Sequence, residues 1–427
     1  MTWQQALDYL FAQLPMFHRI GAAAYKNNLD NSLALDNLLH HPHKNYPCIH
    51  IAGTNGKGSV SNMLAAIYQS AGYRTGLFTS PHLKDFRERI RVDGKMISRQ
   101  YVIRFIENHR TEFEKIQPSF FEWTAALAFD FFRNKKIDIA IIETGLGGRL
   151  DSTNIITPDL SVITNIGWDH AYLLGNSLQK IAAEKAGIIK SGVPVVIGEK
   201  QEPVKAVFEN KAKDAASLLV FASENFKIVK KAELVQRMKV DIFHKRKQYL
   251  KDVIMDLTGF YQLKNVCSVL QAVQMLNRKF PVEEKHIRKG LKQVKKITGF
   301  NGRWTVLSKQ PMIIADTGHN REGISEVIKQ IESIKFSRLH IILGMVADKD
   351  VNSVLRMFPR NAEYYFCKPS VPRGLDAGQL CESAKKFGLS GKSFFSVKSA
   401  LKTAKINAGR GDLIFIGGST FVVSEII

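Results

Sequence analysis

The chain has 427 residues, 45% of them hydrophobic and 23% charged. This composition indicates globular domains, most simply two, rather than a disordered chain. The net charge of +22 indicates attraction for polyanions and leaves nucleic acid, a membrane surface and small anionic substrates open as partners. The four cysteines are widely spaced, the N-terminus lacks the features of a signal peptide, and no apolar stretch reaches the about 20 residues that span a bilayer. We therefore expect a cytoplasmic protein with free thiols.

Short β-branched runs alternate with helical patterns in the first half of the chain. Buried strands are predicted at residues 48–53, 137–143, 160–165 and 193–198. Helices are predicted at residues 59–72 and 98–113, where Ser98 can cap the second helix and apolar residues form one stripe. This alternation predicts a parallel sheet with helices on both faces.

The rest of the chain is predicted to form a hairpin, two helices and a second, smaller α/β unit. The hairpin covers residues 240–259, and glycines with a loss of periodicity predict a hinge at residues 295–304. The strands of the second unit are predicted at residues 311–316, 339–344, 363–367 and 412–418. Two basic clusters, at residues 243–251 and 287–296, are interpreted as water-facing parts of the hairpin and of a helix.

The segment GTNGKGS, which begins at Gly53, almost matches a phosphate-binding loop. The usual pattern has four residues between two glycines and then Lys followed by Ser or Thr. Here two residues separate Gly53 from Gly56, and Gly58 stands between Lys57 and Ser59. The segment follows a predicted strand and opens a predicted helix, which is the context that a phosphate site requires. Backbone N–H groups can then point at phosphate oxygens, Lys57 can reach the β/γ region, and the Ser59 hydroxyl can bind Mg²⁺.

Glu143 ends a later strand of the same predicted sheet. In open parallel sheets, ligands bind at the carboxyl ends of the strands. A carboxylate at that edge is the kind of ligand that holds Mg²⁺ beside a phosphate. Taken alone, the loop still allows two interpretations, a phosphate site and a glycine-rich turn without a nucleotide.

Further strings along the chain favour the phosphate site. With their residue numbers, they are GTNGKGS (53–59), SPHL (80–83), ERIRVDG (88–94), FFEWTAALAF (120–129), ETGLGGRLDSTN (143–154), TNIGWDHAYLLGNSLQKIAAEKAGIIK (164–190), GR (302–303) and DTGHN (316–320). The first resembles the variant phosphate loop of the Mur ligase family, and the others follow in that family's order. The chain thus resembles the Mur ligase family over nearly its whole length, and within it the folylpolyglutamate synthase/dihydrofolate synthase branch.

The sequence pattern and the resemblance together predict an α/β fold with two domains. An N-terminal P-loop ATPase domain with a mostly parallel sheet is predicted at residues 1–297, and a smaller C-terminal Rossmann-like α/β domain at residues 298–427. The resemblance implies a ligase in which ATP phosphorylates a carboxylate and the amine of L-glutamate attacks the acyl phosphate. The implied ligands are ATP, two Mg²⁺ ions, L-glutamate, dihydropteroate and folates. We expect a monomer that binds neither nucleic acid nor a membrane.

The resemblance also implies roles for single residues. Glu143 would hold one Mg²⁺ with Ser59 and a second with His170, and Lys185 would carry a carbamate formed with CO₂, which makes it a carboxylate-like ligand. The catalytic residues implied are Lys57, Glu143, His170 and Lys185. Those implied for ATP are Gly53, Thr54, Asn55, Gly56, Lys57, Gly58, Ser59, Gln262, Asn265, Arg303, Asp316 and His319, with the base and ribose between the domains. Those implied for metal are Ser59, Ser80, Glu143 and His170, and those for folate are Ser80, Pro81, His82, Phe120, Phe121 and Asp151.

Asp151 has two interpretations. In the bifunctional members that the chain resembles, the matching aspartate helps to form a pterin pocket for dihydropteroate, where a carboxylate can accept hydrogen bonds from adjacent N–H donors. Phe120 or Phe121 would then stack on the ring. The local sequence Asp-Ser-Thr-Asn instead indicates a residue that caps the following turn.

Lys185 and His170 also have simpler interpretations. For Lys185 it is a lysine on a helix surface, and for His170 it is an ordinary loop histidine.

Three alternative functions stay open at this point. The chain could extend folates without using dihydropteroate, or it could be a Mur-type ligase for a cell-wall precursor, against which SPHL and GLGGRLDSTN argue. A basic P-loop protein could also be a nucleic-acid-dependent ATPase, which the lack of a basic–aromatic patch disfavours. The chain departs from the family pattern at Tyr261, where His is usual, and at Thr317, Gly318 and Arg321, within and beside DTGHN.

Overall fold

A computed structural model describes residues 1–13, 28–234, 236–347 and 350–427. These residues form two compact units. The first unit consists of Met1–Asp256 and Gln262–Phe300, and the second of Leu257–Tyr261 and Asn301–Ile427. The assignment of ATP binding to one domain and of a ligase role to the other stays a prediction. Among the described residues, no helix combines the length and the apolar character that crossing a bilayer needs.

An eight-stranded sheet is the centre of the first unit. Its strands are β1 (Cys48–Ala52), β2 (Thr75–Phe78), β3 (Ile90–Val92), β4 (Lys95–Met96), β5 (Ile139–Glu143), β6 (Leu160–Ile163), β7 (Val195–Ile197) and β8 (Leu219–Phe221). Their order is β4-β3-β2-β5-β1-β6-β7-β8. All neighbours from β2 to β8 pair in parallel, and β3 and β4 form an antiparallel edge. The mostly parallel sheet that the sequence predicted is therefore confirmed, and β5 lies directly beside β1.

Helices surround this sheet. They are α1 (Trp3–Asp8), α2 (Asp30–Leu38), α3 (Lys57–Ser70), α4 (Arg99–Ile116), α5 (Phe120–Asn134), α6 (Ala171–Leu174), α7 (Leu178–Ala186), α8 (Glu202–Asp214), α9 (Ala222–Asn225), α10 (Gln262–Leu276), α11 (Glu284–Lys292) and α12 (Val294–Thr298). One apolar core joins β2 and β5 to α4 and α5, and another joins β6 and β7 to α7 and α8. Strands covered in this way are mostly apolar, which is why β5, β6 and β7 could be predicted as buried runs, whereas the short β2 was not predicted.

The two helices predicted in the first half of the chain begin in different ways. The Ser98 hydroxyl accepts a hydrogen bond from the Tyr101 N–H and begins α4, as predicted. The helix predicted from residue 59 begins earlier, at Lys57, because Gly56 at φ 88° serves as its N-cap residue. Left-handed backbone of this kind costs glycine little, and for this reason the phosphate-type loop can turn directly into a helix.

A small antiparallel sheet completes the first unit. Its strands are β9 (Phe226–Leu234), β10 (Arg237–His244) and β11 (Lys247–Met255), in the order β11-β10-β9. The predicted hairpin is β10 paired with β11, and β9 adds a strand that was not predicted.

The second unit is a six-stranded sheet with helices. Its strands are β12 (Thr305–Lys309), β13 (Met312–Ala315), β14 (Leu339–Leu343), β15 (Glu363–Cys367), β16 (Gly391–Phe394) and β17 (Leu413–Gly417). Their order is β12-β13-β17-β14-β15-β16, with only β12 antiparallel. The helices are α13 (Arg321–Glu332), α14 (Val351–Leu355), α15 (Ala377–Lys385), α16 (Val397–Asn407) and α17 (Thr420–Ser424). The four strands predicted here are all present, and β12 and β16 flank them.

Candidate active site

The loop between β1 and α3 requires its glycines. Gly53 has φ 146° and Gly56 has φ 88°. A Cβ at Gly53 would lie 1.9 Å from Oγ1 of Thr164, and a Cβ at Gly56 would lie 2.3 Å from Oδ1 of Asn265. Larger residues at either position would push the backbone away from these neighbours. The shifted glycine pattern therefore belongs to a closely packed loop that ends at the N-terminus of a helix.

The segment after β6 holds this loop in place. The Thr54 N–H donates to the carbonyl of Asn165 (2.9 Å), and the Asn55 N–H donates to the Asn165 side chain (3.0 Å). The Thr54 hydroxyl accepts from the Gly167 N–H (2.9 Å), and the Thr164 hydroxyl donates to the Asn55 carbonyl (2.6 Å). The first N–H groups of a helix have no partner within the helix, so the fixed start of α3 can offer them to an anion.

Lys57 and Lys185 meet at one carbonyl of the loop. Each Nζ donates to the Gly53 oxygen at 3.0 Å. Lys185 lies near the end of α7 and is only 4% exposed. Its interpretation as a helix-surface lysine is therefore wrong. Burial and, to a smaller extent, the neighbouring charge of Lys57 lower the pKa of Lys185 to about 7.

Two oxygen ligands suitable for Mg²⁺ lie at the start of α3. Ser59 and Glu143 are 1% and 3% exposed. A Cβ at Gly58 would lie 3.6 Å from Oε2 of Glu143, which places this carboxylate beside the loop. The Ser59 hydroxyl accepts from Nε2 of Gln262 (3.1 Å), and Asn265 donates to Oε1 of Gln262 (2.8 Å). A carboxylate and a hydroxyl are hard oxygen donors that fit Mg²⁺.

Gln262 and Asn265 lie against this loop. Both belong to the first turn of α10, and Gln262 is fully buried. Their contacts to Ser59 and Gly56 explain their positions structurally. Their predicted contact with the ATP base and ribose stays a prediction.

His170 is the N-cap residue of α6 and has a left-handed backbone, with φ 51°. Its Nε2 lies 3.6 Å from Oδ1 of Asp169, whose side chain the sequence had not singled out. Within the described ranges, no group of three His, Cys, Asp or Glu residues is arranged to hold a metal ion. A second metal at His170 and Glu143, and a contact of Ser80 with metal, therefore stay predictions.

Both oxygens of the Asp151 carboxylate accept hydrogen bonds from residues nearby in the chain. Oδ2 accepts from the Leu146 N–H (2.8 Å), and Oδ1 accepts from the N–H (3.0 Å) and the hydroxyl (2.5 Å) of Thr153. Asp151 caps the 3₁₀ turn Ser152–Ile155, as its local sequence indicates, and burial raises its pKa. Nε2 of His50 lies 2.8 Å from the Thr153 hydroxyl. A role in pterin binding stays a prediction.

The residues predicted for folate divide into two places. His82 follows the Ser80-Pro81 peptide, and its Nδ1 accepts from Nε of Arg89 (2.8 Å). The Arg89 guanidinium lies 5.1 Å from the centre of the Phe120 ring.

Phe121 packs elsewhere. A Cβ at Gly145 would lie 2.6 Å from the Phe121 ring, which places this ring on the loop after β5. Phe120 and Phe121 therefore have separate surroundings, although they are adjacent in the chain.

In the second unit, the predicted ATP residue Asp316 is a buried acceptor. Its Oδ2 accepts from the Tyr261 hydroxyl (2.5 Å) and the Trp304 N–H (2.7 Å), and its Oδ1 accepts from the Gly318 N–H (2.7 Å). Tyr261, which departs from the family pattern, thus has a structural role at Asp316.

Arg303 and His319 lie near the same turn of the second unit. Nη1 of Arg303 donates to the Thr317 hydroxyl, and Nδ1 of His319 donates to the Thr317 carbonyl (3.0 Å). The structure thus brings three of the predicted ATP residues together within this unit, around residues 316–319. Their contact with ATP stays a prediction.

Sequence reasoning missed the residues that support the loop. Thr164 and Asn165 directly follow β6, and a polar pair after a buried strand was the signal that could have indicated them. Arg89 was also missed, because the alternation of charged residues around it is typical of an exposed segment.

Family models match both units of the chain. The Mur ligase middle domain matches residues 51–273, and the Mur ligase glutamate ligase domain matches residues 302–420. The first match alone covers more than half of the chain.

Individual relatives agree with these matches. The dihydrofolate synthase/folylpolyglutamate synthase of Bacillus subtilis is 31% identical over an alignment of 400 residues, and the alignment covers 91% of this chain and 91% of that protein. Escherichia coli FolC, solved in complex with DHPP and ADP, has a TM-score of 0.87 at 27% identity and covers 100% of this chain and 97% of its own. The bifunctional enzyme from Yersinia pestis, solved with AMPPNP and a Mn ion, has a TM-score of 0.85 at 27% identity, with the same coverage. The chain therefore belongs to the Mur ligase family, in its folylpolyglutamate synthase/dihydrofolate synthase branch.

Proposed function

We propose that this chain is an ATP-dependent ligase that adds L-glutamate to dihydropteroate and to glutamylated folates. The observation that carries the proposal is the arrangement of Lys57 with the buried residues Ser59, Glu143 and Lys185 around a loop that turns into a helix. Such an arrangement suits a phosphate chain with a divalent metal, and the family relatives bear the name of this activity.

ATP and a divalent metal ion are the cofactors of this proposal. Solved relatives contain ADP in one case and AMPPNP with Mn in another. In this chain, Ser59 and Glu143 would hold the metal, which would supply positive charge between the phosphates. A second metal held by Glu143 and His170 is a further part of the proposal.

The reaction proceeds in two steps. A carboxylate oxygen of the folate substrate attacks the γ-phosphorus of ATP, and ADP leaves with the bonding electron pair. The amine nitrogen of L-glutamate then attacks the acyl carbon, loses a proton, and phosphate leaves from the tetrahedral intermediate. Lys57 would neutralise charge on the transferred phosphoryl group, because its Nζ lies at the mouth of the loop on the Gly53 carbonyl.

Lys185 would become a carbamate before it acts. A neutral amine is needed, because its nitrogen lone pair forms the bond to the carbon of CO₂ while the nitrogen loses a proton to water. Burial lowers the pKa of Lys185 to about 7, so that much of the amine is neutral near neutral pH. The resulting carbamate anion would lie beside Lys57, whose positive charge would stabilise it.

The decisive experiment is glutamate-dependent ADP release with two acceptors. Purified protein with ATP and Mg²⁺ is expected to release ADP with dihydropteroate and with tetrahydrofolate, and only when L-glutamate is present. If ADP is released with tetrahydrofolate but not with dihydropteroate, the function is restricted to folate extension. ATP hydrolysis that needs DNA or RNA and ignores both acceptors would support the nucleic-acid alternative instead.

Asp151→Ala is expected to impair the dihydropteroate reaction more than folate extension. The substitution also leaves the Leu146 and Thr153 donors without their acceptor, which costs about 1–3 kcal/mol of stability for each buried group. Both activities and the melting temperature are measured, and Asp151→Asn serves as the matched variant because it keeps one oxygen acceptor. If both activities fall equally, and by an amount that the loss of stability explains, Asp151 has a turn-capping role only.

A further inference from the structure

Arg89 is a buried cation whose guanidinium is only partly used. The residue is 2% exposed, and its Nε donates to Nδ1 of His82 at 2.8 Å. Its guanidinium lies 5.1 Å from the centre of the Phe120 ring. Within the part of the chain that the structure describes, no carboxylate or carbonyl accepts a hydrogen bond from its Nη1 or Nη2. An arginine fork carries five N–H donors, so among the described residues the four on Nη1 and Nη2 are left for a ligand.

The Arg89 guanidinium keeps its positive charge, although burying a charge is energetically unfavourable. Burial lowers the pKa of Arg89, and the charges of Glu143 and Glu88 offset part of this effect. The resulting pKa is about 10, so the guanidinium stays protonated near neutral pH. Glu88 is occupied elsewhere, because its carboxylate accepts from the backbone N–H groups of Leu83, Lys84 and Asp85. A buried charge without a hydrogen-bonded counter-ion is unfavourable. An anionic ligand that binds at such a position supplies the missing counter-charge.

Further aromatic rings pack against Phe120 and His82, the two rings that contact the guanidinium. The Phe120 ring stacks on Phe11 at 5.6 Å and meets Phe86 at 5.8 Å, and the His82 ring lies 6.5 Å from Phe86. A ligand at this place therefore meets a planar cation next to apolar rings. This combination fits a molecule that joins an aromatic ring to a carboxylate.

We propose that Nη1 and Nη2 of Arg89 bind the α-carboxylate of the terminal glutamate of the folate acceptor. The proposal rests on the proposed function and deepens it. During extension the γ-carboxylate is phosphorylated, whereas the neighbouring α-carboxylate stays ionised and needs a counter-charge. Arginine pairs with a carboxylate through two parallel hydrogen bonds, which fixes the orientation of the ligand.

The same assignment makes Arg89 a determinant of specificity. Dihydropteroate carries a single carboxylate, the one that reacts, and has no α-carboxylate for Arg89. Folate extension therefore uses the guanidinium, and the first glutamylation does not. The electrostatic interaction of Arg89 with Glu143 agrees with a position near the metal-binding carboxylate.

The first test compares two ligands that differ only in the α-carboxylate. Binding of pteroylglutamate and of pteroyl-γ-aminobutyrate to the full chain is measured by calorimetry with ADP and Mg²⁺ present. Wild type is expected to bind pteroylglutamate at least about tenfold more tightly, and Arg89→Met is expected to bind both ligands equally. Arg87→Met is the matched control, because Arg87 is paired with Asp85 on the same 3₁₀ turn, and it should keep the wild-type preference.

The second test is the ratio of two activities. In Arg89→Met, kcat/KM for tetrahydrofolate should fall at least about tenfold, mainly through KM, while kcat/KM for dihydropteroate stays within about twofold. Equal loss for both acceptors, or an unchanged preference between the two ligands, would overturn the role of Arg89. Wild type that binds pteroylglutamate without any preference overturns it too, even where the variant fails to fold. Wild type that binds neither ligand overturns the proposed function itself.

Discussion

Replacing Lys57 with alanine is expected to lower the ligation rate at least about 10²-fold, because the transferred phosphoryl group loses its main positive partner at the loop. The Nζ of Lys57 donates to the Gly53 carbonyl, one residue after β1. Alanine at position 57 keeps the helix start, so folding should be preserved. The loss should appear in kcat for glutamate-dependent ADP release.

Lys44→Ala is a matched control for this experiment. Lys44 is exposed on the 3₁₀ turn just before β1, and its loss should leave turnover unchanged. Near-normal turnover of Lys57→Ala would mean that the loop is a structural turn and that phosphates bind elsewhere.

Replacing Lys185 with alanine is expected to lower activity about 10–100-fold, the range typical for groups that support a metal site. A carbamate at Lys185 would be a carboxylate-like ligand, and alanine removes it. Small carboxylates such as acetate should restore part of the activity of the variant, because they can occupy the same place. Lys180→Ala is the matched control, since Lys180 lies on the same helix and its Nζ contacts only Asn176 among the described residues.

The carbamate also predicts a dependence on pH and CO₂. Because the pKa of Lys185 is lowered to about 7, the neutral amine that reacts with CO₂ becomes more abundant as pH rises from 6 to 8. Protein held in CO₂-depleted buffer should lose activity and regain it with bicarbonate, more completely at pH 8 than at pH 6. An unmodified Lys185 in the electron density of the active protein would contradict the carbamate.

The sequence by itself determined the elements that local patterns encode. β1 and β5 were predictable because parallel strands covered on both faces are continuous apolar runs. The helix α4 was predictable from its apolar stripe and its Ser98 cap. The glycines of the loop predicted a tight turn before a helix, because glycine adopts left-handed backbone at little cost. Whether the turn is a phosphate site was decided only by the resemblance of the other strings. These features depend on residues close together in the chain.

Tertiary structure decided which distant segments meet. The sheet order, with β5 between β2 and β1, depends on strand pairing across the whole first unit. The strand β9 was missed because its polar residues, mixed with apolar ones, are typical of a strand with one face exposed as well as of a loop.

The same distinction applies to the candidate site. Lys185 follows a pattern that suits a helix surface, yet long-range packing buries it against the Gly53 carbonyl. Of the two interpretations of Asp151, the turn cap is confirmed and the pterin contact stays a prediction. Its contact with the Leu146 N–H depends on how the loop after β5 folds back. The burial of Arg89 beside Phe120 and His82 had no signal in the sequence. Burial and charge environment are sums over neighbours that the tertiary fold brings together, and for this reason only the structure determines them.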